Sequence, residues 1–212
     1  MQYYSQDSQD EYLDRQIFKG MTRGIFVDVG AYDGFEISNS LFFEKHRNWT
    51  GLCVEPNPAH RESLEKRKCH KEYVAVADHT GELDFFANTG RTCGLSGLVD
   101  HYHPAHKIRL ESENETFGSK TSIIKVPVVP LQNLLDEHAI DYIHYLSIDT
   151  EGSEFSVLKS IDYGKTYIDV IGFEANYSDE AKKCVDFLNT KGYKVLKQGL
   201  DIFMIHRESC FA

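Results

Sequence analysis

An apolar run, Ile25 to Val29, leads into the glycine turn Gly30-Ala-Tyr-Asp-Gly34. A short apolar run bounded by turn residues reads as a buried strand, and the glycines open a turn ahead of a helix. No other stretch constrains the fold as strongly, because this unit starts an open α/β sheet, whose ligands sit beyond the carboxyl ends of the strands. Glycine there lets the backbone approach a ligand closely. A second apolar run, from Gly51, ends in Glu55. An acidic residue at the end of the second strand can accept hydrogen bonds from both hydroxyls of a ribose. The pair predicts a site for an adenosine-bearing cofactor.

The rest of the chain continues the alternation. Tyr12, Leu13, Ile17 and Phe18 recur at helical spacing, so Asp7 to Phe18 reads as an amphipathic entry helix. Further helices are expected over 36–45, with Ile37, Leu41 and Phe42 on one face, and over 59–68, 131–137, 152–160 and 181–190. Strands are expected over 25–30, 51–55, 73–77, 123–129, 143–148 and 168–173, with 83–87 a short antiparallel extension. Gly192–Leu196 and Ile202–Ile205 form the arms of a terminal hairpin across Gln198-Gly199. Strands alternating with helices imply a doubly wound, Rossmann-like α/β sheet, mostly parallel, with the hairpin adding an antiparallel strand. One domain is expected over residues 1–212. Residues 1–20 form its helical entry. Residues 88–121, rich in Gly, Ser, Thr, Asn and His, form an irregular loop on the acceptor side, and loops of that length are usually functional.

Charge narrows the partners. The net charge is −10 and no long Lys/Arg cluster occurs, which argues against nucleic acid. The short stretch Lys66-Arg67-Lys68 reads as the end of a helix, where positive charge suits the dipole. No apolar run reaches the roughly 18 residues of a membrane span. The five cysteines are odd in number and lack a C-x-x-C pair. With the polar N-terminus, this suggests reduced thiols and a cytoplasmic location.

The turn also discriminates among cofactors. A nicotinamide fingerprint needs G-x-G-x-x-G, so that pyrophosphate can approach a helix N-terminus. The spacing here is G-x-x-x-G, flanked by Asp28 and Asp33. Carboxylates repel a pyrophosphate but welcome an ammonium or a sulfonium. S-adenosylmethionine fits better than NAD, and a nicotinamide oxidoreductase is the rival reading. No P-loop lysine follows. Acids end five predicted strands, at Asp28, Glu55, Asp78, Asp149 and Glu174, and strand ends on one sheet edge converge. The expected cofactor contacts are Asp28, Gly30, Ala31, Tyr32, Asp33, Gly34, Glu55, Asn57, Ala77, Asp78 and Asp149. Glu55 is assigned to the ribose and Asp78 to the adenine amino group.

Phe26-Val-Asp-Val-Gly-Ala-Tyr-Asp-Gly34, Gly51-Leu-Cys-Val-Glu-Pro-Asn-Pro58, Val74-Ala-Val-Ala-Asp78 and Leu146-Ser-Ile-Asp-Thr-Glu-Gly-Ser-Glu-Phe155 together resemble the FkbM family of S-adenosylmethionine-dependent methyltransferases. Tyr4-Ser-Gln-Asp-Ser-Gln-Asp10 and Ile171-Gly-Phe-Glu174 fit as well. The resemblance covers nearly the whole chain, and Asp-Thr-Glu-Gly-Ser-Glu is its most specific block. It implies the methyltransferase form of the doubly wound sheet and O-methylation of a sugar or glycan. Acceptors among polyketides, lipids or other natural products remain open. It also implies that glycosyltransferase domains can accompany such a chain in one pathway or polypeptide.

A sugar hydroxyl needs a base or a metal to become a nucleophile. Asp149, Glu151 and Glu174, or a loop histidine such as His103 of the trio His101, His103 and His106, are the candidate bases. Asp149, Glu174 and Asn176 form an oxygen-rich set suited to Mg²⁺ or Mn²⁺. Glu154 is expected to serve the start of its helix. Tyr102, Phe117 and Tyr177 are aromatic candidates for stacking on a sugar. A non-catalytic cofactor-binding module with the same fold is the second rival.

Overall fold

A computed structural model describes all 212 residues. Its main sheet uses β1 (Ile25–Val29), β2 (Thr50–Val54), β3 (His70–Glu72), β8 (Tyr142–Ile148), β9 (Tyr167–Glu174), β10 (Tyr193–Gln198) and β11 (Asp201–His206), in the order β10-β11-β9-β8-β1-β2-β3. Neighbours from β9 to β3 run parallel. β11 lies antiparallel between β9 and β10, as the hairpin reading required.

The strands bury side chains with period two, so the sheet separates two cores. Val27, Val29, Leu52, Val54, Leu146 and Ile148 face helices α5 (Leu131–Glu137), α6 (Glu154–Lys159) and α7 (Ser178–Thr190). Phe26, Cys53, Tyr145 and Val170 face α1 (Gln9–Tyr12), α2 (Leu41–Arg47) and α3 (Arg61–Leu64). No helix is long and apolar enough to cross a membrane.

A second sheet stands beside the first, with β4 (Ala75–Val76), β7 (Thr121–Val129), β5 (Gly81–Asn88) and β6 (Gly97–Leu98) in that order. It corrects the expected third strand. Tyr73–Ala77 is not one strand of the main sheet: His70–Glu72 pairs with β2, and Ala75–Val76 crosses to pair with β7. The acid that ends the true third strand is Glu72, whose carboxylate meets His138 at 2.8 Å.

Residues 88–121 are also more regular than expected. They hold a 3-10 turn (Gly90–Leu95), β6, a second 3-10 turn and the helix α4 (Pro104–Phe117). His103 caps α4 by accepting the Ala105 N–H, Pro104 begins it and Gly118 follows it. Only His106 and Leu110 of α4 are buried, so no apolar stripe announces the helix.

Two further expectations fail for local reasons. Residues 36–40 are not helical, because Asp33 Oδ1 captures the N–H groups of Phe35 and Glu36 and Ser38 Oγ accepts that of Leu41. Ile37 is exposed there rather than on the inward face. Arg67 does not end a helix in solvent. It is buried, and its guanidinium donates to Gly34 O, Ser40 Oγ and Glu44 Oε1.

The entry segment is helical through α1, and one π-helical turn extends it over Leu13–Ile17. Asp14 anchors it with two oxygens on Arg47, at 2.6 and 2.8 Å, and a third bond from Tyr3. Both charges are largely buried. Asp14→Ala leaves Arg47 unpaired and should lower the unfolding free energy by about 3 kcal/mol, read by urea denaturation.

Candidate active site

The carboxyl ends of β1, β2, β8 and β9 open onto a cavity of about 500 Å³, lined by Asp28, Glu55, Asp149 and Glu174 among others. Four of the five predicted acids therefore converge. Asp78 does not. It is half exposed and held by Lys159 at 2.8 Å and by His79, and these two partners hold its carboxyl down at about 2. Ala77 is buried but does not line the cavity. The crossing at β4 presents Val74, Ala75 and Val76 there instead. Asp78 is therefore off the cavity, whose wall at this place is apolar and also includes Phe85 and Leu95.

The glycine turn divides its labour. Gly30, Ala31 and Tyr32 line the cavity; Asp33 and Gly34 do not. Asp33 shapes the turn through its bonds to Phe35 and Glu36. Gly34, at φ +81°, packs against Leu64 and Arg67, where a side chain has no room. Gly30, at φ +84°, faces the Asp149 carbonyl, and a Cβ would lie 1.7 Å from that oxygen. Asp149 N–H in turn donates to Val29 O at 2.9 Å. The ends of β1 and β8 are thus in backbone contact.

Glu55 is buried, and each of its oxygens is held. Oε2 accepts the Tyr32 N–H at 3.0 Å and Oε1 accepts the Asn57 N–H at 2.7 Å. Burial pushes its pKa up to about 7, against the two bonds that lower it. Asn57 lies behind this carboxylate rather than on the cavity. Its side chain caps Ala59 and bonds Ser96. Asp28 is buried beneath the turn, where Ser40 donates to it at 2.5 Å and Arg67 lies within electrostatic range. Burial still raises its pKa.

Asp149, Glu151 and Glu174 bring one carboxylate oxygen each within 4.8 Å of the others. Burial, then mutual repulsion with Glu174, pushes Asp149 and Glu151 well above the usual carboxylate range. Burial, with Glu154 next, raises Glu174 to about 7. Glu154 is no part of this set: its Oε1 takes the N–H groups of Thr150 and Gly152 and the Thr150 hydroxyl, as expected of a residue serving a helix start.

A second cavity, of about 330 Å³, lies on the far side of these acids and shares Glu151, Glu174 and Asn176 with the first. It is lined by the three loop histidines and Tyr177. His103 stacks on Tyr177 with ring centres 3.7 Å apart and does not line the first cavity. His106 is the histidine that reaches the acids, with Nε2 3.2 Å from Glu151 Oε2. Burial lowers His106 to about 4 and raises Glu151, and both shifts disfavour an ion pair at this contact. Asn176 lies beside Glu174 and bonds it, outside the tight carboxylate trio. Tyr102 is packing: it is buried, and its hydroxyl donates to Leu95 O. Phe117 is exposed beside Arg91.

Sequence reasoning passes over several residues of the first cavity. Gln6, Asp7 and Gln9 of the entry segment line it, and Gln9 Nε2 donates to Asp201 at 2.8 Å. His60 stands against the Tyr32 ring, whose hydroxyl lies 2.8 Å from Cys93 Sγ. The caps of α4, Pro104 and Gly118, are the signal that would have put His106 on the same inward face as Leu110.

The raised acids set a pH dependence of stability. Below pH 6.5 the buried histidines, lowered in the fold, oppose the acids. From pH 6.5 upward the unfolded chain's histidines shed their last protons, which returns roughly 0.4 kcal/mol for each buried histidine. The folded chain still holds protons on Glu55 and Glu174 that the unfolded chain has released, so these acids lower stability as pH rises. From pH 6.5 to 8.5 each of these two acids should cost the cofactor-free protein roughly 1 kcal/mol. Thermal unfolding of wild type and Glu174→Gln across that range checks it, and the difference between the two should move in the variant's favour by roughly 1 kcal/mol.

A sequence model of the methyltransferase FkbM domain matches residues 28–195. Among solved structures, a methyltransferase FkbM from Methylobacillus flagellatus KT aligns with a TM-score of 0.53 at 14% identity, over 87% of this chain and 44% of that one. The chain therefore spans less than half the length of that protein. A precorrin-6y C5,15-methyltransferase from Geobacter metallireducens GS-15 aligns over 87% of this chain and 79% of its own, at 13% identity and a TM-score of 0.40, too low to bear on this chain. No curated protein sequence matches.

Proposed function

This chain belongs to the FkbM methyltransferase family, and from that premise we propose that it is an S-adenosylmethionine-dependent O-methyltransferase acting on a hydroxyl of a sugar or glycan. The observation that carries the reading is the acidic wall shared by two cavities. The larger cavity takes the cofactor and the smaller, histidine-lined one takes the acceptor.

The residues of the larger cavity fit the cofactor. Its volume lies within the range of small-ligand sites, roughly 300–1,000 Å³. Each Glu55 oxygen already holds one backbone N–H, which fixes the carboxylate and leaves each oxygen free to accept one ribose hydroxyl. The apolar wall at Val74 and Val76 suits a base ring, and the surrounding carboxylates suit an ammonium and a sulfonium. S-adenosylmethionine, when bound, supplies an electrophilic methyl group on a sulfonium.

The chain's part is to bring a hydroxyl in line with that methyl and to take its proton. In the displacement the acceptor oxygen gains the methyl, the carbon–sulfur bond breaks with its electrons on sulfur, and the hydroxyl proton goes to the acidic wall. Glu174, with its pKa near 7, is ionised enough near neutrality to receive it. A neutral or cationic acceptor is not repelled by this wall, and the His103–Tyr177 stack offers a flat aromatic surface to a sugar ring.

The test is transfer of labelled methyl from S-adenosylmethionine across a panel of glycans and of polyketide and lipid alcohols. Label on a glycan hydroxyl supports the reading. No cofactor binding at millimolar concentration by calorimetry sinks it.

A further inference from the structure

We propose that His60 recognises the adenosine half of S-adenosylmethionine, beside Glu55, as a hydrogen-bonding partner of the base; the role rests on the methyl-transfer reading and deepens it.

Six buried side-chain atoms of this chain have no hydrogen-bond partner, and four of them belong to residues that line the larger cavity: Asn39, His60, Glu151 and Ser153. Buried polar atoms are nearly always partnered, so their gathering on one cavity points to a polar occupant. His60 is the one braced against the proposed ribose carboxylate. It is only 7% exposed, and its partnerless atom is Nε2. Glu55 Oε1 accepts the Asn57 N–H at 2.7 Å, and Asn57 O accepts the His60 N–H at 3.1 Å. Glu55 Oε2 accepts the Tyr32 N–H at 3.0 Å, and the Tyr32 ring lies 4.3 Å from the imidazole, centre to centre. Carboxylate and imidazole form one braced unit. A ligand whose ribose rests on Glu55 brings its adenosine to the same corner of the cavity.

The neighbouring polar side chains of this corner are engaged elsewhere. The Tyr32 hydroxyl lies 2.8 Å from Cys93 Sγ, Ser96 Oγ donates to Cys93 O at 2.7 Å, and Arg91 stands over the Phe117 ring. Asp78 is off the cavity. Val74, Val76, Phe85 and Leu95 can cover the faces of a base but have no group to bond its edge. An adenine edge carries an amino donor and ring-nitrogen acceptors. Burial lowers the pKa of His60, so near neutrality its ring is an uncharged imidazole with one donor and one acceptor nitrogen, able to meet either. The partner that Nε2 lacks within the chain is thus of the kind the base supplies.

The experiment is calorimetry with two ligands, S-adenosylhomocysteine and methylthioadenosine, the second of which lacks the amino-acid half. His60→Leu, apolar and of similar volume, should weaken both by about tenfold or more and to the same degree. His60→Gln, which keeps a polar atom near the place of Nε2, should recover most of that loss. Thermal unfolding without ligand gives a readout that separates recognition from packing. His60→Leu should melt no lower than the wild type, since it removes a buried atom that has no partner in the chain. Full affinity in His60→Leu, a loss confined to S-adenosylhomocysteine, a loss that His60→Gln leaves unrepaired, or a loss accompanied by a lowered melting temperature overturns the assignment. The two readings fail separately. A wild-type chain that binds neither ligand at millimolar concentration removes the cofactor reading and His60 with it. Binding by the wild type that His60→Leu retains in full removes His60 alone.

Discussion

Glu55→Gln should weaken S-adenosylmethionine binding by roughly 100-fold while leaving the fold intact. A hydrogen bond to a charged group contributes about 1.5–3 kcal/mol, and the native carboxylate has room for two from the ribose. Glutamine keeps one acceptor oxygen. Its amide NH₂ must then face the N–H of either Tyr32 or Asn57, because those two donors hold both carboxylate oxygens. Donor meets donor, and one ribose hydroxyl loses its acceptor. A net loss of about 3 kcal/mol corresponds to the stated factor.

The wild-type chain carries a second signature of the same residue. With its carboxyl near pKa 7 in the free protein, affinity should rise with pH up to about 7 and level off above it, because the ionised form accepts both hydroxyls. Glu55→Gln should abolish that component of the dependence. Calorimetry at pH 6 and pH 8 on both proteins reads the two effects, and an affinity loss below fivefold would remove Glu55 from the ribose.

Glu174→Gln should slow methyl transfer by roughly 10³-fold, within the 10²–10⁴-fold that a positioned proton acceptor supplies. The substitution keeps the shape and removes the charge, whether that charge takes the proton itself or helps to hold a cation. Cofactor affinity should change less than the rate, since Glu174 lines both cavities while Glu55 serves the ribose. The variant should also be more stable than the wild type above pH 7. Relief of the buried charge is worth up to roughly 3 kcal/mol, given a pKa raised from 4.5 to about 7. A protein that gains stability as it loses turnover is storing electrostatic strain for its chemistry. Single-turnover transfer at saturating cofactor, beside a urea melt at pH 8, tests both halves. An unchanged rate would clear Glu174 of any part in the reaction.

The acids at Asp28, Glu55, Asp149 and Glu174 are legible in the sequence because each apolar strand run leads to one, and a parallel sheet gathers such ends on one edge. Asp78 follows an equally good run and misleads. Nothing in Tyr73-Val-Ala-Val-Ala77 reveals that its hydrogen bonds pass to a different sheet. The region 30–40 misleads in the other direction. Ile37, Leu41 and Phe42 have helical spacing, yet the side chains of Asp33 and Ser38 take the N–H groups that the first turn would have used. Helix α4 is hidden because it buries only two residues, and one of them is a histidine. The same fact hides His106. A buried polar residue adds nothing to hydrophobic periodicity, so a helix that turns chemistry rather than apolar surface toward the core escapes the pattern.

The backbone contact between Gly30 and Asp149 has a consequence for how this scaffold can diversify. The glycine turn and the acid-bearing end of β8 are pinned at a point where not even a methyl group fits. The spacing of these two strand ends is thereby set by the sheet, independently of whatever surrounds the second cavity. One edge of that surround, Asp100 with the three histidines, comes from the continuous insert β5 through β7, while residues 151–184 supply most of the rest. The architecture separates a fixed pair of strand ends from a replaceable edge. Exchange of residues 81–129 between members of the family would then change the histidine-bearing edge while leaving that spacing untouched.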